Sequence, residues 1–209
     1  MEQRIDSATA YIILADGFET IEALTPLDVL RRCGVEVTTI SLNQTRAVRS
    51  SHGVTVEADA TMEDFMHNCN CCASGTGTGT STSNAGSSMR QALILPGGYP
   101  GYKNLCDSPE VGALITQFHK EGKLLCAICG APTALKANQI CRGAAITCHT
   151  SVKEELSDYY SILSSAVVKY MNIITGMGAG RSLEFAFTIA EALTSKEKVE
   201  EIKAKMEII

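Results

Sequence analysis

Short apolar strands alternate with amphipathic helices along most of this chain, and that alternation limits the folds open to it. Residues 10–15 predict a strand, residues 21–33 a helix, and residues 35–41 a second strand that opens after Gly34 ends the helix. Further strands are predicted at residues 92–95, Leu124–Ile128, 145–147, 167–168 and 172–175, and further helices at Pro109–Lys120, from Ala131, at Ser182–Leu193 and at residues 195–206. Continuous apolar strands between amphipathic helices imply a mostly parallel sheet covered on both faces. The chain is therefore predicted to be an α/β protein, a doubly wound sandwich.

The size and charge of the chain restrict its partners. With 209 residues, 45% of them hydrophobic, it is long enough for one well-buried domain and short for two, so a single domain over residues 1–209 is expected. The net charge is −5, and Lys and Arg cluster only in pairs such as Arg31 and Arg32. This composition argues against a nucleic-acid or anionic-membrane surface and favours small-molecule or protein partners.

The start of the chain and its cysteines indicate a compartment. Charged residues precede the short apolar run 11–14, so the chain lacks both the apolar core of a signal peptide and the length of a membrane span. We therefore expect a cytoplasmic protein. Its nine cysteines are an odd number, and in a reducing compartment they are better read as thiols than as a disulfide framework.

Residues 69–88 interrupt the α/β pattern. This Gly-, Thr- and Ser-rich tract has the composition of a loop that cannot bury a core, and we interpret it as an insertion before the strand at residues 92–95. His67, Cys69, Cys71 and Cys72 beside it resemble metal ligands, but no second ligand pair with zinc-site spacing is evident. A loop with incidental thiols, and no metal site, is the favoured interpretation.

The glycines of residues 176–180 raise the alternative of a nucleotide cofactor. They follow a predicted strand and precede a helix, as a dinucleotide-binding motif does. That motif also needs a later strand with an acidic residue about twenty positions on. Only a charged helix remains here, so close packing between strand and helix is favoured, and no cofactor is expected.

Cys129 lies where a buried strand meets the start of a helix with no room for a loop. A thiol at such a corner faces the first free amides of the helix and its positive dipole end, and both favour the thiolate. Small neighbours at Gly130 and Ala131 would let it project from the sheet edge, as in a nucleophile elbow. A nucleophile and a buried core cysteine both fit this stretch. Cys126 lies within the strand run, so a disulfide between it and Cys129 is disfavoured.

Three more segments end at the same predicted sheet edge. Gly97 and Gly98 follow a strand and would allow backbone amides to approach a ligand oxygen, although a plain turn fits equally well. His149 follows the strand after Cys129, where it is either a base or thiolate partner or a surface histidine. Glu22 lies at a helix entry; it could turn inward, although most such acids favour a helix N-terminus.

Together these segments resemble the ThiJ/PfpI superfamily, specifically its DJ-one branch of parkinsonism-associated protein deglycases. The matching segments are residues 15–22, 26–32, 95–98, 127–132, 147–149 and 178–186. The resemblance implies a single flavodoxin-like domain, in which helices sandwich a mostly parallel sheet, and a homodimer. It implies that Cys129 is the nucleophile, Glu22 the acid bonded to its sulfur, His149 a neighbouring imidazole, and Gly98 and Gly130 the oxyanion donors.

Two departures from the family pattern are visible, and both bear on function. The insertion at residues 69–88 has no family counterpart, and Thr150, not an acid, follows His149. A Cys-His-acid triad of a peptidase is therefore not supported within one chain. The expected substrate is a small dicarbonyl such as methylglyoxal or glyoxal, or a glycated protein. The alternative is a redox-sensing or chaperone protein whose cysteine is oxidised to sulfinate.

Overall fold

A computed structural model gives the fold, and it describes residues 8–68 and 90–208. The predicted insertion at residues 69–88, with its three cysteines, lies outside the described residues. The strands are β1 (Thr9–Leu14), β2 (Glu36–Ser41), β3 (Ala47–Arg49), β4 (Thr55–Glu57), β5 (Ala60–Thr61), β6 (Gln91–Leu95), β7 (Leu124–Ile128), β8 (Ala145–Ile146), β9 (Ser161–Ile162), β10 (Val167–Tyr170) and β11 (Ile173–Gly176). The helices are α1 (Thr20–Arg32), α2 (Met62–Asn68), α3 (Gly101–Asp107), α4 (Pro109–Lys120), α5 (Pro132–Ala137), α6 (Lys153–Leu156), α7 (Ser182–Leu193) and α8 (Lys196–Lys205).

Seven strands form the central sheet in the order β10-β11-β7-β6-β1-β2-β5. Every neighbouring pair is parallel except β10 and β11, which pair antiparallel. The run β2-β1-β6-β7-β11 within that order is the flavodoxin-like arrangement of a doubly wound sheet. The predicted α/β fold, flavodoxin-like and mostly parallel, is therefore confirmed.

Successive residues of each central strand face two separate hydrophobic cores. In β6, Ile94 packs into the core beneath α1, α7 and α8, whereas Leu93 and Leu95 pack into the core beneath α2 to α6. All three side chains are fully buried. Because both faces of the strand are covered, its sequence is continuously apolar instead of alternating.

Two parts of the structure differ from the sequence-based expectations. The predicted strand at residues 145–147 lies outside the central sheet, where β8 pairs with β9 in a two-stranded sheet of its own. The hairpin of β3 and β4 was not predicted, since each strand has only three residues and Val48 is the one fully buried among them. Helices α4 and α7 have the predicted bounds.

The cysteines and helices of the described segments add two plain facts. Within residues 8–68 and 90–208, the six cysteines are free thiols, and Cys126 and Cys129 form no disulfide. In the same segments, no helix combines the length and apolar character needed to cross a membrane.

Candidate active site

The candidate site lies where the strand order of the sheet reverses. Strand β1 pairs with β2 on one side and with β6 on the other, so the chain crosses over between the two halves at this point. In doubly wound sheets, ligands bind in the crevice outside the carboxyl ends of such strands. The segments after β1, β6 and β7 carry Glu22, Gly97 with Gly98, and Cys129, and the structure brings these residues together.

Hydrogen bonds to two other segments hold the main chain of Cys129 in a strained conformation. Its φ is 64°, in the left-handed region that non-glycine residues rarely adopt. Its N–H donates to the Gly176 carbonyl at 2.9 Å, and its carbonyl accepts from the His149 N–H at 2.9 Å. Two hydrogen bonds from different segments therefore fix the corner, as a nucleophile elbow requires.

Gly176 allows the close approach that one of these bonds needs. A Cβ at this position would lie 2.9 Å from the Ile128 side chain and 3.1 Å from Phe185. Any larger residue would push β11 away from β7. The close-packing interpretation of the glycines at residues 176–180 therefore has a structural basis at Gly176.

Glu22 turns inward and is completely buried. Its backbone N–H donates to the Glu19 carboxylate at 2.8 Å, so Glu19 caps α1 and leaves Glu22 in the first turn. Its Oε2 accepts from the Gly97 N–H at 2.9 Å, and a further hydrogen bond joins the carboxyl to the Cys129 thiol. Its Oε1 has no hydrogen-bond partner among the residues that the structure describes. A buried carboxyl that is hydrogen-bonded to a thiol and has one oxygen without a partner is well placed to exchange a proton.

Burial raises the pKa of the Glu22 carboxyl from 4.5 to about 7, and the nearby Glu19 charge adds to the rise. Hydrogen bonds from Cys129 and the Gly97 amide act in the opposite direction and do not cancel it. Glu22 is therefore divided between its acid and its carboxylate near neutral pH. A group in that state can both accept and return a proton.

The pKa of Cys129 differs from the sequence-based prediction. Burial, followed by the charge and hydrogen bond of Glu22, raises the pKa of the thiol to about 12, although the Gly98 and Gly130 amides lower it. The depressed pKa expected from the helix start is thus wrong, because desolvation and a neighbouring carboxylate outweigh the amides. Proton removal by Glu22 is then the way to form the nucleophile.

The three predicted oxyanion glycines take different roles. The N–H groups of Gly98 and Gly130 donate to the Cys129 sulfur. The Gly97 N–H donates to Glu22 instead, so this amide is committed to the carboxyl and cannot also serve an oxyanion. Gly97 is still required by the site, since a Cβ there would lie 2.6 Å from both the Cys129 Cβ and the Glu22 Oε2.

The side chain of His149 is exposed, and its ring forms hydrogen bonds within its own segment. Its Nδ1 accepts from the Ser151 N–H at 3.2 Å and lies 2.8 Å from the Ser151 hydroxyl. A neutral ring in this arrangement carries its proton on Nε2 and is a donor there. Across residues 8–68 and 90–208, no hydrogen bond joins this ring to Cys129, so a catalytic role of the imidazole stays a prediction.

Contacts between loops, which the sequence did not indicate, hold the site together. The Glu19 N–H donates to the Gly97 carbonyl at 2.9 Å and joins the start of α1 to the segment after β6. The Asp16 carboxylate accepts from the Arg49 N–H at 2.8 Å and thus ties the loop after β1 to the hairpin. The one sequence signal for these contacts is the side chain of Asp16, since the other bond is between main-chain groups.

The residues considered as metal ligands lie only partly within the described segments. The described residues contain no group of three or more His, Cys, Asp or Glu side chains that could hold a metal ion. His67 lies in α2 at 4.0 Å from Glu63, and both side chains are exposed. Cys69, Cys71 and Cys72 lie outside the described residues, so the expectation of no metal site stays a prediction.

Comparison with known proteins identifies similar chains. Residues 8–192 match the model of the DJ-1/PfpI family. The chain is 36% identical to the protein dj-1beta of Drosophila melanogaster over 94% of this chain and 95% of that one. It is 31% identical to the glutathione-independent glyoxalase DJR-1.2 of Caenorhabditis elegans over 91% of each chain. The crystal structure of Drosophila DJ-1beta superposes with a TM-score of 0.84 at 33% identity, covering 97% of this chain and 99% of that one.

The raised pKa of Glu22 predicts how stability depends on pH. In the unfolded chain the carboxyl ionises near 4.5, but in the folded protein near 7, so the folded state loses stability as pH rises from about 4.5 through about 7. The loss is on the order of 3 kcal/mol, and Glu22→Gln should not show it because the amide does not titrate. Chemical unfolding at pH 4.5 and pH 8 measures the difference. Glu36→Gln, an exposed control, should lose as much stability between the two pH values as the wild type. An equal loss for Glu22→Gln would contradict the raised pKa of Glu22.

The close approach at Gly97 predicts a specific sensitivity. Gly97→Ala should lower the free energy of unfolding by about 1–3 kcal/mol and separate Glu22 from Cys129. Gly180→Ala is the matched control, because a Cβ there meets no atom within 4 Å. Melting curves of the two variants give the comparison. Equal behaviour of the two would show that the packing at Gly97 is not limiting.

Proposed function

The chain belongs to the DJ-1/PfpI family, and we propose that it is a cofactor-independent enzyme of the glyoxalase or deglycase type, acting in the cytoplasm. Its substrates would be methylglyoxal or glyoxal, or the adducts that these dicarbonyls form on thiols and amines. The observation that carries the proposal is the buried Glu22 carboxyl, with a pKa of about 7, hydrogen-bonded to the Cys129 thiol. The similarity to a worm protein named as a glutathione-independent glyoxalase supports it.

The first step is addition of Cys129 to the aldehyde. Ionised Glu22 takes the thiol proton while the sulfur bonds to the aldehyde carbon, and the carbonyl electron pair moves to oxygen. The Gly98 and Gly130 amides, which bind the sulfur before attack, lie beside the forming oxyanion and stabilise it. Protonation of that oxygen by Glu22 gives a hemithioacetal and returns the carboxyl to its ionised state.

The second step moves a hydrogen between the two former carbonyl carbons. Glu22 removes the proton from the sulfur-bearing carbon to form an enediolate and then delivers that proton to the neighbouring carbon. The hydroxyl proton on the sulfur-bearing carbon passes to the neighbouring oxygen, which leaves a thioester of a hydroxy acid. Water hydrolyses that thioester, which releases lactate from methylglyoxal or glycolate from glyoxal and restores the thiol. One carbon is oxidised and its neighbour is reduced, so the electrons balance without an external redox partner.

A second candidate function is a redox-sensing or chaperone protein. Cys129 is only partly buried, unlike the fully buried Cys126, so it is the more accessible of the two cysteines to an oxidant. A protonated Glu22 would donate a hydrogen bond to a sulfinate formed on that sulfur. The same two residues serve both functions, and turnover discriminates between them.

Steady-state formation of lactate from methylglyoxal tests the enzyme. Cys129→Ser should abolish turnover, and Glu22→Gln should reduce it at least about 100-fold because the amide cannot carry the transferred proton. The kcat/KM of the wild type should rise with pH through about 7, as Glu22 ionises. Cys106→Ser, a partly buried cysteine outside the site, is the control and should stay active. No lactate above background from the wild type, with sulfinate forming at Cys129 under peroxide, would favour the sensor.

We further propose that two copies of the chain pair beside the site. Helices α1 and α7 pack against each other and both begin at the carboxyl edge of the sheet. Ile21 and Leu183 lie in their first turns and expose 48% and 45% of their surface. Large apolar side chains exposed together are typical of an interface, and a second copy would cover both by two-fold symmetry.

The oligomeric state in solution tests this pairing. Sedimentation of the wild type should give twice the 22.3 kDa mass of the chain. The double variant Ile21→Lys with Leu183→Lys should sediment with the mass of one chain. Met171→Lys is the control, because Met171 is 74% exposed in the turn between β10 and β11 and lies away from α1. A dimer that survives the double substitution would place the interface elsewhere.

A further inference from the structure

Two tyrosines stand next to the two amides that bind the Cys129 sulfur. Tyr99 directly follows Gly98 in the chain, and its side chain is 70% exposed. The ring of Tyr102 packs on Gly130, where a Cβ would lie 2.7 Å from the nearest ring carbons. The two ring centroids are 6.3 Å apart at an interplanar angle of 56°. The proposed chemistry of the site uses neither ring.

The positions of these rings are fixed by the backbone. The Tyr102 N–H donates to the Gly98 carbonyl at 2.8 Å, which turns the chain back at the start of α3. The Gly98 amide also donates to the Cys129 sulfur, so the turn that carries both tyrosines is hydrogen-bonded to the reacting atom. The two rings therefore lie next to the segments whose amides bind the sulfur, and together they form an aromatic wall.

The chemical character of this wall limits what it can bind. The first turn of α3 has no acidic residue and carries the basic Lys103. Tyrosine faces attract cations, but a guanidinium or ammonium group would here approach the like charge of Lys103, with no carboxylate in the first turn of α3 to bind it. Planar uncharged groups pack on tilted aromatic rings without that penalty. The wall thus favours a neutral, flat substituent.

We infer that Tyr99 and Tyr102 form a subsite for an aryl group on the ketone carbon of an α-oxoaldehyde. The inference rests on the proposed function and names the substrate class of the same site. When the sulfur bonds to the aldehyde carbon, the ketone carbon is the next atom along the substrate. The substituent on that ketone carbon therefore extends away from the sulfur. Hydrogen in glyoxal and methyl in methylglyoxal offer little surface to the wall, whereas an aryl group spans it. The steps of the reaction are unchanged, and the product is an aryl hydroxy acid.

Rates with phenylglyoxal and methylglyoxal test the subsite. Mandelate and lactate are quantified as products, and the ratio of kcat/KM for phenylglyoxal to that for methylglyoxal should favour phenylglyoxal about 3-fold or more in the wild type. Tyr99→Ala and Tyr102→Leu should each lower that ratio about 3- to 10-fold. Tyr99→Phe should keep the ratio, because the ring and not the hydroxyl makes the contact. Tyr170→Ala, at the far edge strand β10, is the control and should leave both rates unchanged.

The outcomes separate the subsite from the function on which it rests. Lactate formation with the same ratio in wild type and Tyr99→Ala would overturn the subsite alone; Tyr99 is exposed, so this variant decides even if Tyr102→Leu fails to fold. Absence of both products would overturn the proposed function. Calorimetric binding of mandelate and lactate to Cys129→Ser then measures the subsite without turnover. Tighter binding of mandelate, lost with Tyr99→Ala, supports it, and equal affinity for the two acids overturns it.

Discussion

The site depends on the two hydrogen bonds that hold the main chain of Cys129. A residue with a side chain loses on the order of 1 kcal/mol or more when it is forced into the left-handed region, and it stays there only if its surroundings require it. Here the N–H is bound by β11 and the carbonyl by the segment after β8. The packing of these two segments against the end of β7 therefore fixes the main chain that carries the sulfur. The rest of the site is arranged around that point.

The second constraint is the burial of Glu22. The carboxyl reaches the sulfur because the start of α1 is joined to the segment after β6 by a bond between the Glu19 N–H and the Gly97 carbonyl. The Gly97 amide then satisfies one carboxyl oxygen, and the absence of a Cβ at this position leaves room for both reacting side chains. Low solvation moves the pKa of Glu22 to about 7, where a carboxyl can act as acid and as base. The burial that makes ionisation of Glu22 unfavourable thus also enables the carboxyl to transfer protons near neutral pH.

The sequence predicted the parts of the structure that are set by local periodicity. Strands β6 and β7 and helices α4 and α7 have strong apolar patterns, and the segments after β1, β6 and β7 meet at one edge because parallel strands end there. The hairpin of β3 and β4 was missed because its strands are too short to show an alternation. The pKa of Cys129 was mispredicted because a helix start is visible in the sequence, whereas burial and the distance to Glu22 arise only from tertiary packing. The Gly97 amide could equally have served an oxyanion until the structure showed Glu22 bound to it.

The contacts around the elbow differ in what they ask of the amino acids involved. His149 contributes its backbone N–H to Cys129, and Gly98 contributes a backbone N–H to the sulfur. At position 149 almost any residue offers that N–H, so the elbow does not depend on the side chain there. The tyrosines at positions 99 and 102 contribute their rings and not a bond to the elbow. Over evolutionary time, substitutions at positions 99 and 102 can change which substrates such a site accepts, while the fold preserves its reactive centre.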